Sequence, residues 1–156
     1  MLASCRDLSR SYPTEPEHDR IESAVHDDRA AEGAARRRER PTGQRVIAEI
    51  ASASLSGRLS GSLAGGSSAD WLTMVRGGLG LPDVRIAIRT EDGAVVLMRY
   101  AGRIRFVPGQ ASIVMIAPVF ETGDPRYSWL NEIQAVGKGI LSADLTTLDY
   151  EICELQ

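Results

Sequence analysis

Val84-Arg-Ile-Ala-Ile-Arg-Thr-Glu-Asp-Gly-Ala-Val-Val-Leu-Met-Arg-Tyr-Ala-Gly102 settles the fold class. Val84, Ile86 and Ile88 alternate with Arg85 and Arg89. That period of two puts apolar side chains on one face of an extended chain and charges on the other. Glu91-Asp-Gly93 supplies a short connection in which the glycine takes positive φ. Ala94 to Gly102 then returns as an apolar strand carrying Arg99 and Tyr100. Two such strands joined by so short a turn form an antiparallel hairpin.

The same grammar runs outward in both directions. Ala53, Leu55, Gly57 and Leu59 alternate with Ser54, Ser56, Arg58 and Ser60; a Gly/Ser-rich turn over Gly61 to Ser68 leads into Trp71-Leu-Thr-Met-Val-Arg76. Downstream, strands are expected at Gly102–Val107, Ala111–Ala117, Asn131–Ile140 and Thr147–Leu155, with one helical turn near Tyr127–Leu130. Short strands separated by Gly, Pro and Asp turns predict an all-β domain over residues 43–156, an antiparallel sandwich or barrel.

Residues 1–42 are different. They are rich in Arg and carboxylates, contain both histidines, and have one aromatic residue, Tyr12. The expectation is a charged N-terminal arm, disordered or loosely docked, or partly helical over Glu17 to Arg40 with Ile21, Ala24, Val25 and Ala31 as a thin apolar stripe. Arg36-Arg37-Arg38 is flanked by Glu32 and Glu39 and reads as solvated charge, not a nucleic-acid contact.

The chain has 156 residues, is 43% hydrophobic and carries a formal net charge of −3, enough for one cored domain without a broad pull toward nucleic acid or anionic membrane. No apolar run is long enough for a spanning helix and no signal pattern opens the chain, so the expectation is a cytoplasmic protein. Cys5 and Cys153 give no zinc or disulfide framework.

Several strands place polar or aromatic groups where a dry core would want Val or Leu. Asp70-Trp71 follows the Gly/Ser stretch: a turn carboxylate with a core anchor, or a carboxylate at a barrel mouth whose pKa rises by desolvation. Arg99 and Tyr100 are adjacent in mid-strand, so one faces in and the other out. Phe120-Glu-Thr-Gly-Asp-Pro-Arg-Tyr-Ser-Trp-Leu-Asn131 packs aromatic and polar groups around a turn in the way that lines small-molecule pockets. If that segment is extended, Tyr127, Trp129 and Asn131 share a face; if helical, they splay. No His occurs between Arg45 and Gln156, which leaves a catalytic triad or His-based metal site no partner in the domain. Gly77-Gly78-Leu-Gly80 lacks the Lys-Ser/Thr of a phosphate loop. What remains is carboxylate, Tyr and Arg chemistry, with no metal and no cofactor expected.

These residues resemble the DUF3237 family. Ala69-Asp70-Trp71, the Thr90-Glu-Asp-Gly93 hairpin, Arg99-Tyr100-Ala-Gly102 and above all Phe120-Glu-Thr-Gly with Tyr-Ser-Trp-Leu-Asn131 carry the resemblance, and Gly43-Gln-Arg-Val-Ile47 with Leu59-Ser-Gly61 looks like the family's opening. It implies a single small antiparallel β-barrel, lipocalin-like or streptavidin-like, with a central cavity and no established general activity. The family's recurrent positions fall on Asp70, Trp71, Tyr100, Glu121, Tyr127, Trp129 and Asn131. Two departures stand out: Tyr100-Ala101 replaces the usual Asn after the mid-strand Arg, and residues 1–42 show no apolar opening strand. Those residues are either an added arm or the product of a misassigned start. Without an opening strand the barrel would have a seam to be covered by the arm or by a partner chain.

Three functions compete. In the first, the cavity binds a small apolar or aromatic metabolite, with Trp71, Arg99, Tyr100, Tyr127, Trp129 and Asn131 as ligand-binding residues. In the second, Asp70 or Glu121 is the general acid/base of a metal-independent lyase, isomerase or cyclase acting on a carbonyl compound. In the third, a sheet edge pairs with another subunit in a homo-oligomer.

Overall fold

The hairpin marked by the sequence is present, with Asp83 to Arg89 paired antiparallel to Val95 to Ala101. Thr90 and Ala94 close its turn: the Thr90 hydroxyl donates to Asp92 Oδ1 at 2.6 Å and accepts from the Ala94 amide at 2.8 Å. Gly93 takes a φ of 90°, where a side chain would be strained. The alternation that follows is strict: Val96, Met98, Tyr100, Gly102 and Ile104 are buried, and the residues between them are exposed.

The computed structural model describes residues 19–26 and 43–155. Its strands are β1 (Asp19–His26), β2 (Gln44–Ser56), β3 (Gly61–Leu63), β4 (Ala69–Met74), β5 (Leu79–Leu81), β6 (Asp83–Thr90), β7 (Val95–Arg105), β8 (Ser112–Glu121), β9 (Ala135–Leu141) and β10 (Thr147–Glu154). Short 3₁₀ segments lie at Arg76–Gly78 and Pro125–Asn131. The two strands expected at Ala94–Gly102 and Gly102–Val107 are one continuous strand, β7.

All the pairings are antiparallel. From β7 the sheet runs through β8, β9 and β10 to β1, and from β1 to β2. It continues from β2 to β3 and β4, both of which pair β6, and β6 returns to β7. The result is an antiparallel, barrel-like ring of strands.

β1 corrects two expectations. Asp19–His26 is extended, not helical, and it pairs with β10 on one side and β2 on the other. The seam is therefore closed by residues of this chain. Ile21 sits opposite both Tyr150 and Leu55 and is 2% exposed. Cys153 is buried in β10, but Cys5 and the Arg36–Arg38 run lie outside the described residues.

The two ends of the ring differ. One holds the β2–β3 and β6–β7 turns, the last residues of β8 and β10, and the Pro125–Asn131 segment, whose Leu130 is fully buried. Burying one leucine contributes about 2 kcal/mol, so this segment is held by its core contact as well as by polar ties. The tightest core, including Leu59, Ile88, Val96 and Met98, packs with it. The other end is formed by the first residues of β2 and β8 and the last of β7 and β9, and no described residue fills it.

Candidate functional site

Alternation decides what faces inward at the unfilled end. β2 contributes Val46, Ala48 and Ile50, β4 contributes Asp70 and Leu72, and β7 contributes Tyr100 and Ile104. A cavity lies among them, and of the described residues that line it only Asp70, Tyr100 and Tyr150 have polar side chains. Three strands thus converge one carboxylate and two phenols in an otherwise apolar chamber.

The phenols form a pair. Tyr100 on β7 and Tyr150 on β10 are 5% and 2% exposed. Their rings meet edge to face, with centroids 5.6 Å apart and planes at 69°. The two phenols lie close enough to influence each other's ionisation. Burial pushes both well above the usual phenol range, and the nearby Asp70 carboxylate pushes in the same direction. Both stay neutral donors at any ordinary pH.

Gly139 explains how the Tyr150 ring fits. A Cβ at that position would lie 2.5 Å from Tyr150 Cδ1 and Cε1. A glycine inside β9 thus leaves the shelf on which the ring lies.

Asp70 is half-buried on β4, and its Oδ1 accepts the Asp83 amide at 2.9 Å. Burial pushes its pKa from 3.8 up to about 6. The Asp83 amide opposes that rise, the Asp83 carboxylate adds to it, and Arg45 weakly opposes it. A carboxylate that titrates near neutrality beside two buried phenols can hold or release a proton under physiological conditions.

The other residues singled out by sequence are elsewhere. Trp71 faces outward beside Asp70, with the Arg85 guanidinium 5.7 Å from its ring centroid. Arg99 also faces outward and is exposed, because Tyr100 takes the inward position. Arg99, Glu121 and Asn131 border a groove on the outer surface together with Arg85. Glu121 therefore does not share a site with Asp70.

The Phe120–Asn131 segment plugs the filled end, and none of its residues lines the cavity. In the 3₁₀ conformation Tyr127, Trp129 and Asn131 splay apart, as helical geometry dictates. The Tyr127 hydroxyl donates to Asp92 Oδ1 at 3.1 Å, and Arg126 bridges Asp92 and Asp124 at 2.8 and 2.7 Å. Trp129 lies under the Arg58 guanidinium, 4.0 Å from its ring centroid, and Arg58 pairs with Glu154 at 2.7 Å. Asn131 accepts the Thr122 amide at 2.9 Å and donates to the Thr122 carbonyl at 3.0 Å. Arg126, Tyr127 and Trp129 tie the plug to neighbouring turns and strands, and Asn131 ties its two ends together.

Sequence reasoning missed Tyr150. Its signal was present in Leu148-Asp-Tyr-Glu-Ile152, where Tyr150 shares the inward parity of Leu148 and Ile152. The glycines flanking Lys138 in β9 were a second hint that a large ring lies close by.

Fold and cavity together define a small antiparallel ring-of-strands protein with one apolar chamber bearing a carboxylate–phenol cluster. The family model described as a protein of unknown function, DUF3237, matches residues 25–155, and the chain belongs to that family. Similar folds occur in a β-barrel-like protein from Acinetobacter baumannii, 23% identical, with a TM-score of 0.71 and coverage of 94% of this chain and 100% of that one. A conserved protein of unknown function from Rhodopseudomonas palustris is 24% identical, with a TM-score of 0.73 and coverage of 90% and 96%. An enzyme from Penicillium herquei is 21% identical, with a TM-score of 0.57 and coverage of 92% and 98%. No curated protein sequence matches this chain.

Proposed function

We propose that the chamber binds a small apolar or aromatic metabolite and orients a carbonyl or hydroxyl group of it on Asp70, Tyr100 and Tyr150. The observation that carries this reading is the composition of the described lining: apolar side chains with three polar ones brought together from β4, β7 and β10. Apolar walls supply affinity, and a few convergent polar groups fix orientation. A second reading, catalysis by acid/base chemistry in the same chamber, is supported by the position of Asp70, whose burial moves its pKa to about 6. The related fold of a protein described as an enzyme is compatible with it.

The test is a calorimetric titration of the full chain with 2-indanone, indane and phenol. Saturable binding is expected, with the ketone about tenfold tighter than indane because it gains roughly one hydrogen bond to buried donors. Val46→Trp, at the half-buried rim of the chamber, is expected to abolish it. Absence of saturable binding by all three compounds, or binding indifferent to Val46→Trp, overturns the reading.

A further inference from the structure

We infer that Asp70, Tyr100 and Tyr150 form a proton-transfer site for enolisable ketones, in which Asp70 takes a proton from the carbon beside a carbonyl whose oxygen is held by Tyr150. This rests on the binding reading above and assigns each of the three groups a distinct task.

The placement of the phenol pair carries the first step. Tyr100 and Tyr150 meet edge to face in the cavity wall, and the Tyr150 ring is further fixed against Gly139. A phenol has one O–H to donate, and against an otherwise apolar described lining the partner it suits is an acceptor on the ligand, of which a ketone oxygen is one. Tyr150, the ring held from two sides, is the group assigned to the oxygen, and Tyr100 is a positioning residue that fixes it.

Asp70 is placed for the complementary task. Oδ1 is fixed by the Asp83 amide at 2.9 Å, which sets the plane of the carboxylate, and Oδ2 has no hydrogen-bond partner among the described residues. Its charged surroundings are Asp83 and Arg45 with the two phenols, and no ion pair joins it among the described residues. A neutral ligand could be oriented by phenols alone. An unpaired carboxylate in an apolar chamber is costly to keep and useful when a proton has to move.

The chemistry closes without a further reactant. The carboxylate takes the α-proton, the C–H electron pair becomes the enolate C=C bond, and the carbonyl π pair moves onto oxygen, where the Tyr150 O–H stabilises it. The proton on Asp70 then swaps with a solvent deuteron that is delivered to the same carbon, giving exchange, or is passed to a conjugated carbon, giving isomerisation. Nothing is oxidised or reduced.

The test uses the full chain with 2-indanone in D2O, following α-hydrogen exchange by NMR and binding by calorimetry on the same samples. Exchange is expected to exceed the buffer rate and to level off above a pH of about 6. Asp70→Asn is expected to bind within a few-fold of wild type yet lose exchange by about a hundredfold or more, the usual contribution of a general base. Tyr150→Phe is expected to lose roughly a hundredfold, as for removal of one oxyanion donor. If wild type binds 2-indanone but exchanges it no faster than Asp70→Asn, the inference falls and the binding reading stands. If wild type does not bind it, the inference falls, and the binding reading falls with it when indane and phenol also fail to bind. Exchange unchanged in Tyr150→Phe overturns the role given to that hydroxyl.

Discussion

Asp70 is where local chemistry departs most from what the fold alone requires. Its carboxyl is harder to ionise in the folded chain than in the unfolded one, about 6 against 3.8. Below a pH of about 4 the group is protonated in both states and has no effect on the balance. As pH rises from about 4 to 6, the unfolded chain ionises first, so the folded state loses ground, by roughly 3 kcal/mol once pH exceeds the folded value. Asp70→Asn keeps an oxygen for the Asp83 amide and removes the ionisation. The variant is expected to be about 1–3 kcal/mol more stable than wild type at pH 7.5 and to match it at pH 3.5, as measured by urea unfolding across that range. A variant less stable than wild type at pH 7.5 would contradict the burial argument. Asp70 and Tyr100 were legible as candidates because alternation exposes a polar residue on a face that should be apolar. Tyr150 was not, because a tyrosine in an amphipathic strand reads as ordinary core until β7 and Gly139 are known to lie against it.

The Phe120–Asn131 segment shows how an element can be read correctly in composition and differently in place. Aromatic bodies with polar ends do cluster there, and a helical turn was expected near Tyr127–Leu130 and is found at Pro125–Asn131. Asp124 caps that segment by accepting the Arg126 amide, with Pro125 in its first turn. The cluster nevertheless serves to anchor a plug. A turn at the end of a closed ring meets the same mixture of apolar core and polar rim as a turn lining a pocket, and local sequence does not say which end of the ring it sits on. That is set by long-range register: Leu97 opposite Glu121 at the plugged end and Ile104 opposite Val114 at the open one. Asn131 separates the two readings. Asn131→Ala removes two hydrogen bonds to Thr122 and is expected to lower stability by about 1–2 kcal/mol in urea unfolding while leaving 2-indanone affinity unchanged. A tenfold loss of affinity at unchanged stability would return Asn131 to the ligand site.

Closure of the whole ring depends on the strand that sequence made hardest to see. Asp19-Arg-Ile-Glu-Ser-Ala-Val-His26 is mostly polar, and its period is too weak to distinguish a strand from an arm. What makes it a strand lies elsewhere: β2 and β10 each present an edge whose amide and carbonyl groups need a partner, and β1 pairs with both. The chamber depends on this as well, because β1 holds Ile21 directly opposite Tyr150 while β2 supplies Val46, Ala48 and Ile50 to the wall. Ile21→Ala is therefore expected to lower stability by about 2–4 kcal/mol, the range for a large buried aliphatic truncated in a packed interior. Ile47→Ala, on the outer face of β2 and 56% exposed, should change it by no more than about 0.5 kcal/mol. Paired urea titrations of the two variants measure the contrast. Equal, small effects would mean that β1 does not bear on the stability of the ring, and the seam would then have to be closed by a second chain. A large effect confined to Ile21→Ala, with weakened 2-indanone binding, would tie ring closure to the shape of the chamber through the contact between β1 and the Tyr150 strand.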